Sequence, residues 1–526
     1  MPPKRHYKVA EVLQQLAEDP SGDSDDFEEF PTLTEASEAV LANDEAADVV
    51  LLPPSTVDAL SDEEAIDDDD LMPSSLPSDV PGKVAVLVHG NKGKAEESTS
   101  KSTSRRQKKQ KLDTPQPKWG NKLAYSKNIP TENVENLLDK QPQLKTMTPF
   151  ELFSHYFDDE LKTMIVEESV RYARQKNNMS FEMDVGDVDI FLGILLLSGY
   201  HSLPRERLYW NRDEDVRIPF VASHMSKNRF MEIKKYIHLA DNDTTVPDDK
   251  LYKVRSYITA LNTRFQQFGV FSKFLSIDEE MVPYYGHHSA KMYLRGKPIR
   301  FGFKLWVLAS DNGYPYNVDV YCGKSVNPED QSENGLGHRV VTSILGCVSN
   351  PLCHEVYFDN FFTSYSLLSS LRAMNIKATG TVRENRLKGC PLTETKVMKK
   401  KERGFYESKC DGQVIAVKWN DNTCVSVATN FGSVQPVGKA KRWSSSKKCS
   451  VEIPQPAVIH DYNLRMGGVD ILDRFMATYR PMVRSKKWWW PLFTNGVNMA
   501  VVAAWRVHVQ VRLQRCYLVV WCYFHS

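Results

Sequence analysis

Several absences bound what this 526-residue chain can be. Its nine cysteines, at 322, 347, 353, 390, 410, 424, 449, 516 and 522, form no C-x-x-C pair. Neither a zinc ribbon nor a dithiol redox motif is therefore present. Its longest apolar runs, "IFLGILLLSGY" and the closing "CYLVVWCYF", fall short of the roughly 20 residues that span a bilayer. No secretory leader opens the chain, so the expectation is an intracellular protein with reduced thiols and no membrane partner. Basic residues are scarce at one end. The first 80 residues hold 3 Lys and Arg against 22 Asp and Glu, although the whole chain balances at 67 of each. The remainder thus carries a net charge of +19. An acidic tail is joined to a basic body, which suits either a polyanionic partner such as nucleic acid or a well-solvated cationic surface.

Residues 1–115 are rich in Asp, Glu, Ser and Pro with few aromatics, the composition of a disordered tail. Within it Arg105, Arg106, Lys108, Lys109 and Lys111 form a basic cluster. Such a cluster is either a nuclear-localisation signal, which places the protein in the nucleus, or a nucleic-acid patch or solvated linker. Helical spacing of Phe150, Phe153, Phe157, Leu161, Ile165 and Tyr172, followed by three further periodic stretches, predicts a helical domain over 116–270. Over 271–385 the order is strand, strand, strand, helix, strand, helix, strand, which predicts an α/β domain with a mixed sheet. Alternating polar and apolar residues around "NDNT" predict a β-rich insertion over 386–457, after which helices over 458–510 complete the α/β domain. Residues 511–526 form an atypical apolar tail.

Three aspartates are placed where chemistry could use them. Asp278 lies in "LSIDEEM" on the first strand, Asp359 ends the strand in "VYFDNFFTS", and Asp470 opens a helix in "MGGVDILDRF", with Asp473 three residues on. Asp359 alone also reads as a strand end or helix cap. As a set, the carboxylates suit a hard, oxygen-liganded divalent cation and two-metal phosphoryl transfer.

The runs "SIDEEMVPYYG", "RGKPIRFGFKLWVLAS", "VYFDNFFTS", "ATGTVRENR", "KKKERG" and "GGVDILD" resemble the piggyBac transposase family over roughly residues 148–505, most nearly its vertebrate transposable element-derived members. The resemblance implies an RNase H-like catalytic core of the DDE superfamily and cut-and-paste DNA recombination at TTAA sites with Mg²⁺ or Mn²⁺. It implies a catalytic triad of Asp278, Asp359 and Asp470, with Asp473 a fourth metal-site carboxylate. The implied partners are double-stranded DNA, carrying the TTAA target and transposon ends, and a second copy of the chain, the helical domain serving dimerisation and DNA binding. Arg295, Lys297, Lys304, Arg383, Arg386, Arg484, Lys486 and Lys487 flank the triad and are the candidate DNA contacts. The three tryptophans 488–490 read as core or as a base-stacking platform, and His287 and His288 as structural or DNA-facing. Family members carry a C-terminal cysteine-rich zinc domain. Here only Cys516 and Cys522 follow the core, so the expectation is that this domain is missing and no zinc site is visible. The alternative function is a domesticated DNA-binding or chromatin protein without excision activity.

Overall fold

A computed structural model describes residues 116–525 apart from 215, 245–248, 294–298, 300, 324–334 and 445–446, with only the backbone for 513–525. Nearer the N-terminus it describes the backbone of three short strands, β1 (Phe27–Phe30), β2 (Ala47–Leu52) and β3 (Lys83–Val88), paired antiparallel in the order β1-β3-β2. The basic cluster at 105–111 lies outside the described residues, as does the rest of the tail for which disorder is expected.

Helices begin where the sequence supplies caps. Helix α1 (Pro149–Ser154) starts in a capping box, in which Thr148 accepts from the Glu151 amide and the Glu151 carboxylate accepts from the Thr148 amide. Asp158 caps α2 (Asp159–Gln175), Asp184 caps α3 (Val185–Tyr200) and Ser226 caps α4 (Lys227–Tyr236). With α5 (Tyr252–Phe265) these bury Leu161, Ile165, Tyr172, Phe191, Leu195, Phe230 and Tyr257 in one core shared with the sheet. Of the periodic apolar positions, Phe157, Leu161, Ile165 and Tyr172 are buried, Phe153 is half-buried and Phe150 is exposed on α1.

The mixed sheet expected of an α/β domain is present. It has nine strands, in the order β10-β11-β12-β9-β8-β4-β6-β5, with β7 also pairing β6. Its centre is β4 (Phe274–Pro283), flanked by β6 (Phe301–Ser310), which is antiparallel, and β8 (Glu355–Phe358), which is parallel. Beyond β8 lies β9 (Lys377–Thr381), also parallel. Strands β5 (Lys291–Tyr293) and β7 (Pro315–Val320) complete one side. Helix α6 (Gly335–Ile344) packs on β6 and β7, and α7 (Tyr365–Ala373) on β9. After the insertion come α8 (Ala457–Arg465), packed on β4, β9 and β12, and α9 (Gly468–Thr478), packed on β4 and β6. The backbone of α10 (Trp490–His525) runs as one helix through the segment expected to be an apolar tail. No helix among the described residues is long and apolar enough to cross a membrane.

Two features differ from the sequence-based partition. The insertion strands β10 (Tyr406–Cys410), β11 (Ile415–Asn420) and β12 (Cys424–Thr429) do not stand apart; β12 pairs antiparallel with β9 and prolongs the core sheet. Only the hairpin of β13 (Gly438–Ser444) and β14 (Cys449–Gln455) forms its own sheet, over a second apolar cluster that includes Ile415, Val417, Trp419 and Ile453. Residues near 120, grouped by sequence with the helical domain, instead lie against the insertion. Gly120 exchanges backbone hydrogen bonds of 2.8 and 2.9 Å with Cys410, and the Ser126 amide donates to Gly412. The Tyr125 hydroxyl donates to the Gly432 carbonyl at 2.8 Å, and its ring lies under the Arg372 guanidinium.

Candidate active site

The site lies where β8 ends against the middle of β4. In the β4–β8 ladder Ile277 faces Phe358, so the next residues, Asp278 and Asp359, continue the row side by side. Carboxylate oxygens of Asp278, Glu279 and Asp359 lie within 4.8 Å of one another. Glu279 is not among the acids singled out from the sequence; strand alternation puts it on the opposite pleat from Asp278. Its longer side chain brings the carboxylate back to the strand end. The pair of acids in "IDEE" was the available signal.

Backbone amides hold the two aspartates. The Glu279 amide donates to Asp278 Oδ1 at 2.8 Å, and the Phe361 amide to Asp359 Oδ1 at 2.9 Å. Thr363 Oγ1 donates to the Asp359 carbonyl at 2.7 Å, closing the turn after β8. Burial pushes the Asp359 carboxyl above its ordinary range and the Glu279 charge adds to it, while the Phe361 and Phe362 amides and Lys304 oppose them. This is the electrostatic cost of concentrating hard anionic oxygens, and a divalent cation relieves it. The donor set therefore fits such an ion.

The other two expected acids, Asp470 and Asp473, are not part of that three-carboxylate group. Asp470 is exposed in the first turn of α9 and is outside the three-carboxylate group. Asp473 turns inward, 3.7 Å from Arg480. There its charge helps push the buried Glu280 carboxyl up to about 7, after the larger effect of burial, while Asn495 donates to Glu280 at 2.9 Å.

The candidate DNA contacts divide similarly. Arg383 is exposed and donates to Asn360 Oδ1 at 3.3 Å; Arg386 is half-buried and donates to the carbonyls of Asn360 and Phe361 at 3.0 and 2.6 Å. Both thus border the Asp359 turn. Lys304 is buried, its ammonium 3.9 Å from the Trp306 ring centre and 4.9 Å from that of Phe361. Arg484 is exposed and Lys486 half-buried. Lys487 corrects the sequence reading. It is fully buried, and its ammonium donates to the carbonyls of Lys234, Lys235 and Ile237 at 2.6, 2.8 and 3.2 Å, capping the end of α4 instead of meeting DNA. Arg295 and Lys297 lie outside the described residues. Trp488, Trp489 and Trp490 are all core, and the buried His288 ring packs against Trp488 with centres 4.0 Å apart.

Comparison with known proteins gives a consistent picture. The family described as Transposase IS4 matches residues 148–505. Human PiggyBac transposable element-derived protein 3 is 34% identical over 486 residues, covering 88% of this chain and 81% of that protein. Human PiggyBac transposable element-derived protein 2 is 31% identical over 465 residues, covering 87% and 77%. Among solved structures, a cryo-EM piggyBac transposase synaptic complex with hairpin DNA superposes with a TM-score of 0.59 at 20% identity, over 71% of this chain and 77% of that one, a likeness of fold. With a family match over residues 148–505 and relatives above 30% identity over most of their length, the chain belongs to the Transposase IS4 family, in its piggyBac branch.

Proposed function

We propose that this chain is a DNA transposase that cuts and rejoins double-stranded DNA at TTAA sites. The observation that carries the reading is the in-register pair Asp278 and Asp359, joined by Glu279 where β8 ends beside the middle of β4. A divalent cation, Mg²⁺ or Mn²⁺, bound by these carboxylates would supply Lewis-acid polarisation of a phosphoryl oxygen. The chain's own contribution is positioning. Backbone amides fix Asp278 and Asp359 in direction, the buried Lys304 tempers their summed charge, and Arg383 and Arg386 present cations to the DNA backbone beside them. Transposon ends as substrate, a homodimer as the working unit and nuclear import through Arg105–Lys111 belong to the same proposal.

A second reading, DNA binding without excision, is favoured by Asp470 standing outside the carboxylate group. Excision of a TTAA-flanked element from a reporter plasmid separates the two, with Asp359→Asn as the control. Excision well above that variant supports the transposase. Equal, background excision with DNA binding retained supports the second reading.

A further inference from the structure

The row that aligns Asp278 with Asp359 continues one strand further. In the parallel β8–β9 ladder Phe358 faces Gly380, so Thr381 follows alongside Asp359 as Asp359 does alongside Asp278. The fit there is tight. A Cβ on Gly380 would lie 2.2 Å from Thr363 Oγ1 and 2.7 Å from the Phe358 carbonyl oxygen, and Thr363 is itself bonded to Asp359. The Thr381 hydroxyl lies 3.2 Å from the phenol oxygen of Tyr462, on α8. Because α8 packs on both β4 and β9, it brings this phenol to the row that carries the acids, near enough for the charges of Asp359 and Asp278 to act on it.

Two hydroxyls carry two protons, and the bond between them uses one. The other O–H remains to donate to an acceptor next to the carboxylates. Burial, with Asp359 and Asp278 adding to it against the opposing bond from Thr381, pushes the Tyr462 phenol up to about 12, so it stays a donor at neutral pH. Carboxylates can accept but not donate, and the flanking arginines lie on the Asn360 side of the site. The hydroxyl pair is a neutral donor set into an acidic row, the complement of a phosphodiester oxygen.

We propose that Tyr462 is a further catalytic residue, its hydroxyl paired with Thr381 and donating to a non-bridging oxygen of the DNA phosphodiester held at Asp278 and Asp359. This rests on the transposase reading above. Removing a single donor of this kind lowers a chemical step by about 10²-fold in comparable sites.

The test uses the full chain with 3-fluorotyrosine in place of Tyr462, a TTAA-containing duplex and Ca²⁺ to hold off cleavage. Fluorescence anisotropy follows binding, and ¹⁹F NMR follows the phenol. The expected result is a shift of the ¹⁹F resonance on DNA binding that Thr381→Val reduces. Alongside it, Tyr462→Phe should slow Mn²⁺-dependent strand cleavage by about 10²-fold, with DNA affinity changed less than twofold and the melting temperature retained. DNA binding without a ¹⁹F shift, or cleavage by Tyr462→Phe at the wild-type rate, overturns the assignment and leaves the transposase reading standing. Failure of the unsubstituted chain to bind the duplex overturns both.

Discussion

A Cβ added to Gly468 would lie 2.2 Å from the carbonyl oxygen of Ser310 and 3.0 Å from the Ser276 side chain. Helix α9 therefore meets β4 and β6 with no room for a side chain at its first residue, and Ser276 Oγ ties the preceding turn by donating to the Met466 carbonyl at 2.5 Å. Asp470 is two residues further along. Gly468→Ala must push α9 off the sheet, because the obstacle is backbone. The expected cost is about 2 kcal/mol, in the range of overpacked cores. Thermal denaturation reads that loss, and the excision assay should fall with it as Asp470 moves.

Stability and function should move oppositely at Asp359. Neutralising one of three crowded carboxylates removes repulsion, so in chelator Asp359→Asn should melt a few degrees above wild type, a gain of about 1 kcal/mol. Added Mn²⁺ should raise the wild-type melting temperature and leave that of the variant unchanged. A variant that responds to Mn²⁺ as wild type does would place the ion elsewhere.

Two cations expected on the DNA path should part company. Lys487→Met leaves three carbonyls at the end of α4 without their ammonium donor, and should cost about 3 kcal/mol. Arg383 is exposed, so Arg383→Ala should leave denaturation midpoints alone and reduce the salt dependence of DNA binding by about one unit of slope. Denaturation curves and a salt series of binding isotherms on the same variants separate the two effects.

His238 should write a pH dependence into stability. Its ring is buried, stacked on Tyr172 at 4.3 Å and edge-on to Trp489, with Nε2 3.0 Å from Asn242 Oδ1. Burial first, then the nearby Lys487 ammonium, depress its pKa from 6.5 to about 3. Between those values the unfolded chain binds a proton that the folded chain refuses. Stability from this group is thus intact above pH 6.5 and declines as pH falls towards 3, by about 1.4 kcal/mol per unit. His238→Phe should flatten that part of the profile when unfolding is measured across the range.

The core was the most legible part of the fold. Periodic apolar residues from Phe157 to Tyr172 marked buried positions, though the stretch from Phe150 breaks into two helices, and "WWW" reads as core because large aromatics are usually buried. The motifs placed Asp278 on a strand and Asp359 at the end of another, but their adjacency depends on a parallel register that no local pattern encodes. Glu279 lies outside the aspartate set that the family motifs picked out, although it sits beside Asp278 in "IDEE". Lys487 was misread because it follows Arg484 and Lys486 in a basic run, whereas its partners are carbonyls some 250 positions away in sequence. The insertion was legible as β-rich, but its fusion to β9 rests on a pairing between Val427 and Thr381 that only the folded chain reveals.

The segment pinned at Gly120, Tyr125 and Ser126 sets a practical limit on trimming the protein. β10 is the last strand of the sheet, and at Cys410 its outward amide and carbonyl are both engaged by Gly120. A fragment begun after Ser126 to shed the acidic tail would bare those groups and strip Tyr125 from beneath Arg372. An unfinished strand edge recruits strands from other molecules. A tail-free fragment that keeps this edge closed therefore includes Gly120.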